Sequence, residues 1–399
     1  MTQRIRPERF TAVMLLIACS VACAGALSAP AQAQPERAEV AAARQPANTP
    51  GREHNPAPRQ SPATVGGQQL AASGVVVNYP SRRAARLPDL PASGYVVADA
   101  GTGQVLAAKD PHGLFLPAST LKVLTAIALI PRLNPDATAV ASQQATAVTP
   151  NVVGLVAGQR YKVSDLFSAL LLISANDAAI ALAEATGSLR HGVALMNAEA
   201  SHLQAYDVVA KDPNGLDAAG QHASAYGLAL IARQAVAMPA FMTYDSALEA
   251  PFPVTPARPV TLFNQNSLLT HYPGGIGGKI GWTSAAGATY IGLARRNGVT
   301  LIVTLLHCPA LTEVAYAARL LDWGFAMDGR VRPVGDLVAP LQPAPARPSA
   351  KPAPGRQAAS PATAEARGIP SETTAVTAAL IMFAAAAAVV LALLRRRGV

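Results

Sequence analysis

Two short apolar runs, Tyr95-Val96-Val97-Ala98 and Gln104-Val105-Leu106-Ala107, flank Ala100-Gly101-Thr102-Gly103. Such a pair around a glycine-bearing turn predicts a β-hairpin. The apolar spacing then becomes helical, predicting helices over 119–130, 164–172, 177–185, 189–203 and 224–237, with Ser164 and Asp177 as caps of the second and third. Strand-like runs return at 289–293 and 300–306 around Arg295-Arg296-Asn297-Gly298, and a last helix is predicted over 311–323. Strands at both ends with helices between them predict one α+β domain over 87–339, its terminal strands paired in an antiparallel sheet.

The flanks read differently. Residues 34–86 and 340–374 are rich in Pro, Ala, Gln and Arg without an apolar period, so both are expected to be extended linkers. Residues 1–33 resemble a secretory signal: Arg4, Arg6 and Arg9 precede the apolar run 11–27, and Ala31-Gln32-Ala33 offers a cleavage site. Leu16-Ile17-Ala18-Cys19 leaves lipoprotein processing as the alternative. Residues 375–394 carry no charge and precede Arg395-Arg396-Arg397. At 1.5 Å per residue that run spans about 30 Å, the thickness of a bilayer core. The expectation is a single-pass protein of the cell membrane, with the body extracytoplasmic and 395–399 as a cytoplasmic tail.

Composition sharpens this picture. With 51% hydrophobic and 14% charged residues, a disordered chain is excluded. The net charge of +9 invites a nucleic-acid reading, but residues 93–341 hold 15 Lys and Arg against 16 Asp and Glu. The excess lies in the flanks without a nucleic-acid motif, so no nucleic-acid partner is expected. Three cysteines make no disulfide framework, and two of them, Cys19 and Cys23, lie in the signal-like stretch, leaving Cys308.

Candidate chemistry sits in three places. Ser119-Thr120-Leu121-Lys122 opens a predicted helix, where residues three apart share a face. Lys122 is the only charge in 119–130, and apolar surroundings should lower its basicity and let it activate Ser119 as a nucleophile. Taken alone, the tetrapeptide reads equally well as an N-cap serine followed by a snorkelling lysine. Ser174-Ala175-Asn176 places a hydroxyl and an amide on a loop between helices. Lys279-Ile280-Gly281-Trp282-Thr283 follows the glycine run Gly274-Gly275-Ile276-Gly277-Gly278; Lys279 and Thr283 could face a carboxylate, with Gly281 admitting a ligand close to the backbone.

The chain holds one Ser-x-x-Lys, one Ser-x-Asn and one Lys-x-Gly, in that order. That set resembles the penicillin-binding proteins and serine β-lactamases. Further stretches resemble the low-molecular-mass D-alanyl-D-alanine carboxypeptidases, serine peptidases of family S11. They are Lys109-Asp110-Pro111-His112, Ser174 to Ala179, Leu195-Met196-Asn197, Asp212-Pro213-Asn214-Gly215-Leu216-Asp217 and the segment 225–229.

The resemblance implies a β-lactamase/transpeptidase-like fold, a five-stranded antiparallel sheet flanked by helices. It implies Ser119 as acylated nucleophile, Lys122 as general base and Ser174 as proton shuttle. Asn176 would hold the substrate amide. Lys279 would attract the terminal carboxylate of D-Ala-D-Ala, with Gly281 and Thr283 nearby, and the backbone N–H groups of Ser119 and of the Lys279 strand would form the oxyanion hole. Peptidoglycan stem peptides would be the substrates and β-lactams covalent inhibitors, with no cofactor and no metal. One departure stands inside the motifs: relatives usually have Lys-Thr-Gly, and here Ile280 replaces the threonine.

Other readings are weighed by residues. A serine β-lactamase usually adds Glu-x-x-x-Asn, which 93–341 lacks, and a metal peptidase needs clustered ligands, whereas His112, His191, His202, His222, His271 and His307 show no His-Glu-x-x-His. A non-catalytic wall-binding relative would differ in failing to take up penicillin.

Overall fold

The computed structural model describes residues 64–255 and 258–342. The chain first forms β1 (Val75–Val77), β2 (Gly94–Asp99) and β3 (Gln104–Lys109). Helices follow: α1 (Lys122–Leu129), α2 (Gln143–Thr146), α3 (Val163–Leu172), α4 (Asn176–Glu184), α5 (Leu189–His202), α6 (Ala225–Val236) and α7 (Pro239–Asp245). Among them lies a small ladder of β4 (Thr138–Val140) with β5 (Arg160–Lys162). A ribbon of β6 (Glu249–Thr255) and β7 (Arg258–Phe263) and the short α8 (Leu268–His271) lead into β8 (Gly275–Thr283), β9 (Gly287–Arg296) and β10 (Val299–Cys308). Helix α9 (Glu313–Met327) and β11 (Gly335–Asp336) complete the described part.

The expected pairing of the terminal strands is present. The main sheet runs β1-β3-β2-β10-β9-β8, with β11 also on β3, and every pairing is antiparallel. Strand β10 shows why the sheet is covered on both faces. Its residues alternate: Ile302 and Leu306 enter a core with α1, α3, α4 and α6, while Leu301, Val303 and Leu305 enter a second core with α9. The β9–β10 turn uses Asn297 at φ 50° and Gly298 at φ 84°, the left-handed pair that a tight hairpin requires.

Several expectations need correction. The sheet has seven strands, not five, because the two- and three-residue strands β11 and β1 add to the edge at β3. Such short strands leave no periodic signal. Residues 64–86, expected to be linker, belong to the folded body. Leu70 is buried, β1 pairs with β3, and Asp336 N–H donates to Gly66 carbonyl at 2.8 Å. Helix α3 begins after Lys162 without a side-chain cap, so Ser164 does not cap it. Asp177 caps no helix by itself either: its carboxylate reaches out to the N–H groups of Val153, Gly154 and Leu155 at 2.9–3.0 Å. The signal-like start and the segment 375–394 lie outside the described residues, and among those described no single helix is long and apolar enough to cross a membrane.

Candidate active site

Ser119 lies in a single 3-10 turn, Ala118–Leu121, that runs directly into α1 at Lys122. In 3-10 geometry residues three apart eclipse one another, which stacks the amine over the hydroxyl more tightly than an α-turn would. Lys122 Nζ is 2.8 Å from Ser119 Oγ. Ala118, just before the nucleophile, is held at φ 45°, a left-handed conformation that costs a non-glycine residue energy.

The surroundings of Lys122 decide its protonation state. The residue is fully buried, and its Nζ has three oxygen neighbours: Ser119 Oγ, Asn176 Oδ1 at 2.7 Å and the Asn214 carbonyl at 2.6 Å. Asn176 is oriented by its own amide, which donates to Thr149 carbonyl at 2.8 Å, so the oxygen faces the lysine. Two of the three neighbours are therefore pure acceptors. A neutral amine donates its two N–H bonds to them and turns its lone pair to the serine hydroxyl, the only neighbour that can donate. Burial drives the amine well below its usual basicity, the positive charge of Lys279 adds to that, and Asp212 and Asp177 oppose it.

The Asn214 carbonyl is delivered by a turn. Asp212 Oδ1 accepts from Asn214 N–H at 2.9 Å and Gly215 N–H at 2.6 Å, and Thr125 of α1 ties the turn down through Pro213 carbonyl at 2.7 Å. Gly215 sits at φ 82°, where an added Cβ would fall 1.9 Å from Ala118 carbonyl oxygen, so only glycine lets this turn reach the nucleophile.

Ser119, Ser174, Asn176, Gly281 and Thr283 border one cleft of about 250 Å³, together with Ile280, Trp282, Leu311 and Glu313. A larger hollow of about 440 Å³ lies elsewhere, beside Arg233, Arg295 and Val338, but it holds no serine, cysteine or lysine. Size therefore does not mark the site; the Ser119–Lys122 pair does. Ser174 stands at φ 62° with a buried hydroxyl that has no hydrogen-bond partner. Lys279 is buried, its Nζ donating to Ile280 carbonyl at 2.9 Å. Burial pushes it down to about 7, against the pull of Asp245.

Gly281, Thr283 and Ile280 also make contacts within the protein itself. Gly281 borders the cleft, and a Cβ there would meet Thr289 Oγ1 at 2.5 Å, Ser119 N at 2.8 Å and Thr120 N at 2.9 Å. The missing side chain lets β8 pack against the nucleophile's turn. Thr283, on the cleft, donates to Asp217 Oδ1 at 2.8 Å and accepts from Ala286 N–H at 2.9 Å, which fixes the direction of its hydroxyl. Ile280 packs against the α9-side core while bordering the cleft, as strand alternation from Lys279 requires. Asn214, Asp217 and the 60% exposed Trp282 on the cleft wall received no role from the sequence, although the Asn-Gly pair at 214–215 signalled the turn.

Residues 81–309, which contain Ser119, Lys122, Ser174, Asn176, Lys279, Gly281 and Thr283, match the family described as Peptidase S11, D-alanyl-D-alanine carboxypeptidase. The chain belongs to that family. S11 peptidases similar to it include D-alanyl-D-alanine carboxypeptidase DacB2 of Mycobacterium tuberculosis, 40% identical over 61% of this chain and 85% of the relative. DacD of Escherichia coli is 32% identical over 64% of this chain and 70% of its own length. A solved D-alanyl-D-alanine carboxypeptidase from M. tuberculosis superposes with a TM-score of 0.62 at 38% identity, covering 65% of this chain and 99% of that one. A mutant of a Streptomyces DD-transpeptidase superposes with a TM-score of 0.56 at 26% identity, over 60% and 99%. The S11 chain described here thus has the penicillin-binding, transpeptidase-like α+β fold.

Proposed function

We propose that Ser119 and Lys122 carry out the serine-type D-Ala-D-Ala carboxypeptidase reaction on peptidoglycan stem peptides. The observation that carries this reading is the fully buried Lys122 Nζ, 2.8 Å from Ser119 Oγ and held well below its usual basicity by burial. Ser119 Oγ attacks the carbonyl between the two D-alanines while its proton passes to Lys122 Nζ. The oxyanion is met by the N–H of Ser119 and by that of Trp282. Ile280 carbonyl faces the open edge of β8, where it takes the Lys279 bond, and Trp282, two residues on, presents its N–H at the same edge. The C–N bond then breaks, and the proton held on Lys122 reaches the departing D-alanine amine by way of Ser174, whose hydroxyl is otherwise unpartnered. Water, deprotonated in turn by Lys122, releases the shortened peptide. Lys279, buried next to Ile280 and Gly281 of the cleft, attracts the terminal carboxylate.

Penicillin follows the same first step and stays on Ser119. Incubating the purified body with benzylpenicillin should add one penicilloyl group by intact mass. Ser119→Ala should fold and take up none; an adduct on that variant overturns the assignment. Release of free D-alanine from a peptide ending in D-Ala-D-Ala reads the hydrolysis directly.

The flanking segments support an extracytoplasmic, membrane-anchored placement through the uncharged run 375–394 and Arg395 to Arg397. Truncation after Pro340 should release a soluble, active domain. Retention of that truncated protein in membranes would point instead to a lipid on Cys19.

A further inference from the structure

Asp245, the last residue of α7, carries a fully buried carboxylate that the reaction described above does not use. Its Oδ2 accepts from Gly278 N–H at 2.7 Å, one residue before Lys279, and its Oδ1 has no partner. The approach is purpose-built on both sides. The β8–β9 register slips between Gly275 and Gly277, and a side chain on Gly277 would lie 2.2 Å from the same carboxylate oxygen. Gly278, at φ 128°, leaves space against Ile291 carbonyl that a Cβ would fill at 2.1 Å. A buried carboxylate is costly unless it is paired or serves a neighbour.

The neighbour it serves is Lys279. That amine has one protein acceptor, Ile280 carbonyl, and burial disfavours its charge. The charged or titratable groups facing this region are Lys122 from α1, Asp245 from α7 and Tyr290 from β9, the last holding its hydroxyl on Asn266 Oδ1 at 2.6 Å. Asp245 is the one among them that favours the cation, and it does so as its carboxylate: burial raises that group to about 7, against the pull of Gly278 N–H and Lys279, so the support for Lys279 grows as pH rises through that value.

We propose that Asp245 is a positioning residue for carboxylate recognition: it fixes the β8 bulge that carries Lys279 and supplies the counter-charge that keeps Lys279 cationic next to the cleft. This rests on Lys279 as the group that attracts the substrate carboxylate. Asp245→Asn separates the two duties, since an amide oxygen still accepts from Gly278 N–H while the charge is gone.

The test uses an N-acylated D-Ala-D-Ala peptide and its C-terminal carboxamide, with wild type and Asp245→Asn across pH. Wild type should prefer the free acid. In Asp245→Asn the KM for the acid should rise about tenfold with kcat changed less, the acid-over-amide preference should shrink by the same factor, and the alkaline limb should move about one pH unit lower. An unchanged KM and alkaline limb in the folded variant overturn the proposal and leave the assignment of Lys279 standing. A wild type without preference for the acid overturns both. Thermal unfolding supplies a readout that survives loss of activity: Asp245→Asn should destabilise wild type but stabilise Lys279→Gln, where the carboxylate has lost its cation. Equal destabilisation in both backgrounds reduces Asp245 to a structural acceptor and overturns the proposal.

Discussion

Replacing Asn176 by aspartate turns the oxygen that faces Lys122 into a charge while keeping its shape. That oxygen lies 2.7 Å from Nζ, with both residues buried. At an effective dielectric near 20, Coulomb's law gives about 6 kcal/mol for unit charges at this separation, before the desolvation of the new carboxylate is subtracted. What survives in measured cases is a shift of about 1–3 pKa units toward the charged form. The sign is upward for an amine, so Lys122 keeps its third proton to higher pH and offers Ser119 a lone pair over a narrower range. Acylation near pH 7 should then fall about 10-fold to 1,000-fold. Because the deficit is one of protonation, the rate should recover as pH rises, with the acid limb displaced upward by the same 1–3 units. The lost N–H to Thr149 carbonyl is a separate cost of about 1 kcal/mol in stability, which thermal unfolding reads apart from the kinetics. Stopped-flow acylation by a fluorescent penicillin between about pH 5 and 10 is the assay. A loss that stays constant with pH, or an acid limb that does not move, refutes Lys122 as the base.

Gly215→Ala should cut acylation at least about tenfold in the same assay, since left-handed strain of about 1–2 kcal/mol adds to a contact of 1.9 Å with Ala118 carbonyl; an unchanged rate removes the turn from the site. Ile280→Thr should leave acylation within about threefold and cost about 1 kcal/mol of stability, because the side chain packs on the α9 side. A gain above about tenfold would show that position 280 reaches the ligand. Thr283→Ala should change KM less than about threefold, with lower thermal stability as the Asp217 and Ala286 bonds are lost; a tenfold rise in KM would return the hydroxyl to the substrate.

What the chain disclosed in advance followed from local physics. Ser224 was placed at the start of a helix and does cap α6, accepting from Gly227 N–H at 2.9 Å, and the antiparallel meeting of first and last strands followed from the order of elements. Ser119 and Lys122 were legible because three-residue spacing on one turn is a local property. The β6–β7 ribbon was not, since Pro251, Pro253 and Pro259 argue against strand, and the ribbon tolerates them only as a separate two-stranded sheet. Asn214 and Asp245 were illegible as site residues for another reason: one acts through its backbone and the other through a glycine bulge, and neither leaves a side-chain pattern. Gly281 was legible as a cleft residue, but its packing against the protein's own Ser119 turn was not, because that contact joins segments far apart in the chain.

The pairing of β2 with β10 sets the order in which this enzyme comes into being. Leu301 lies opposite Asp99, some two hundred residues away along the chain, whereas β9 and β10 meet across a short hairpin. Closing the longer loop costs about 4 kcal/mol more in chain entropy than closing the hairpin. Contacts so distant form late, and here they wait on a strand near the end of the described chain. Gly281 belongs to the late-arriving half and Ser119 to the early one, so the nucleophile has its wall only once the sheet has closed. A chain interrupted before β10 would contain the serine, the lysine and the Ser-x-Asn loop but not the strand that joins β9 to β2 across the sheet.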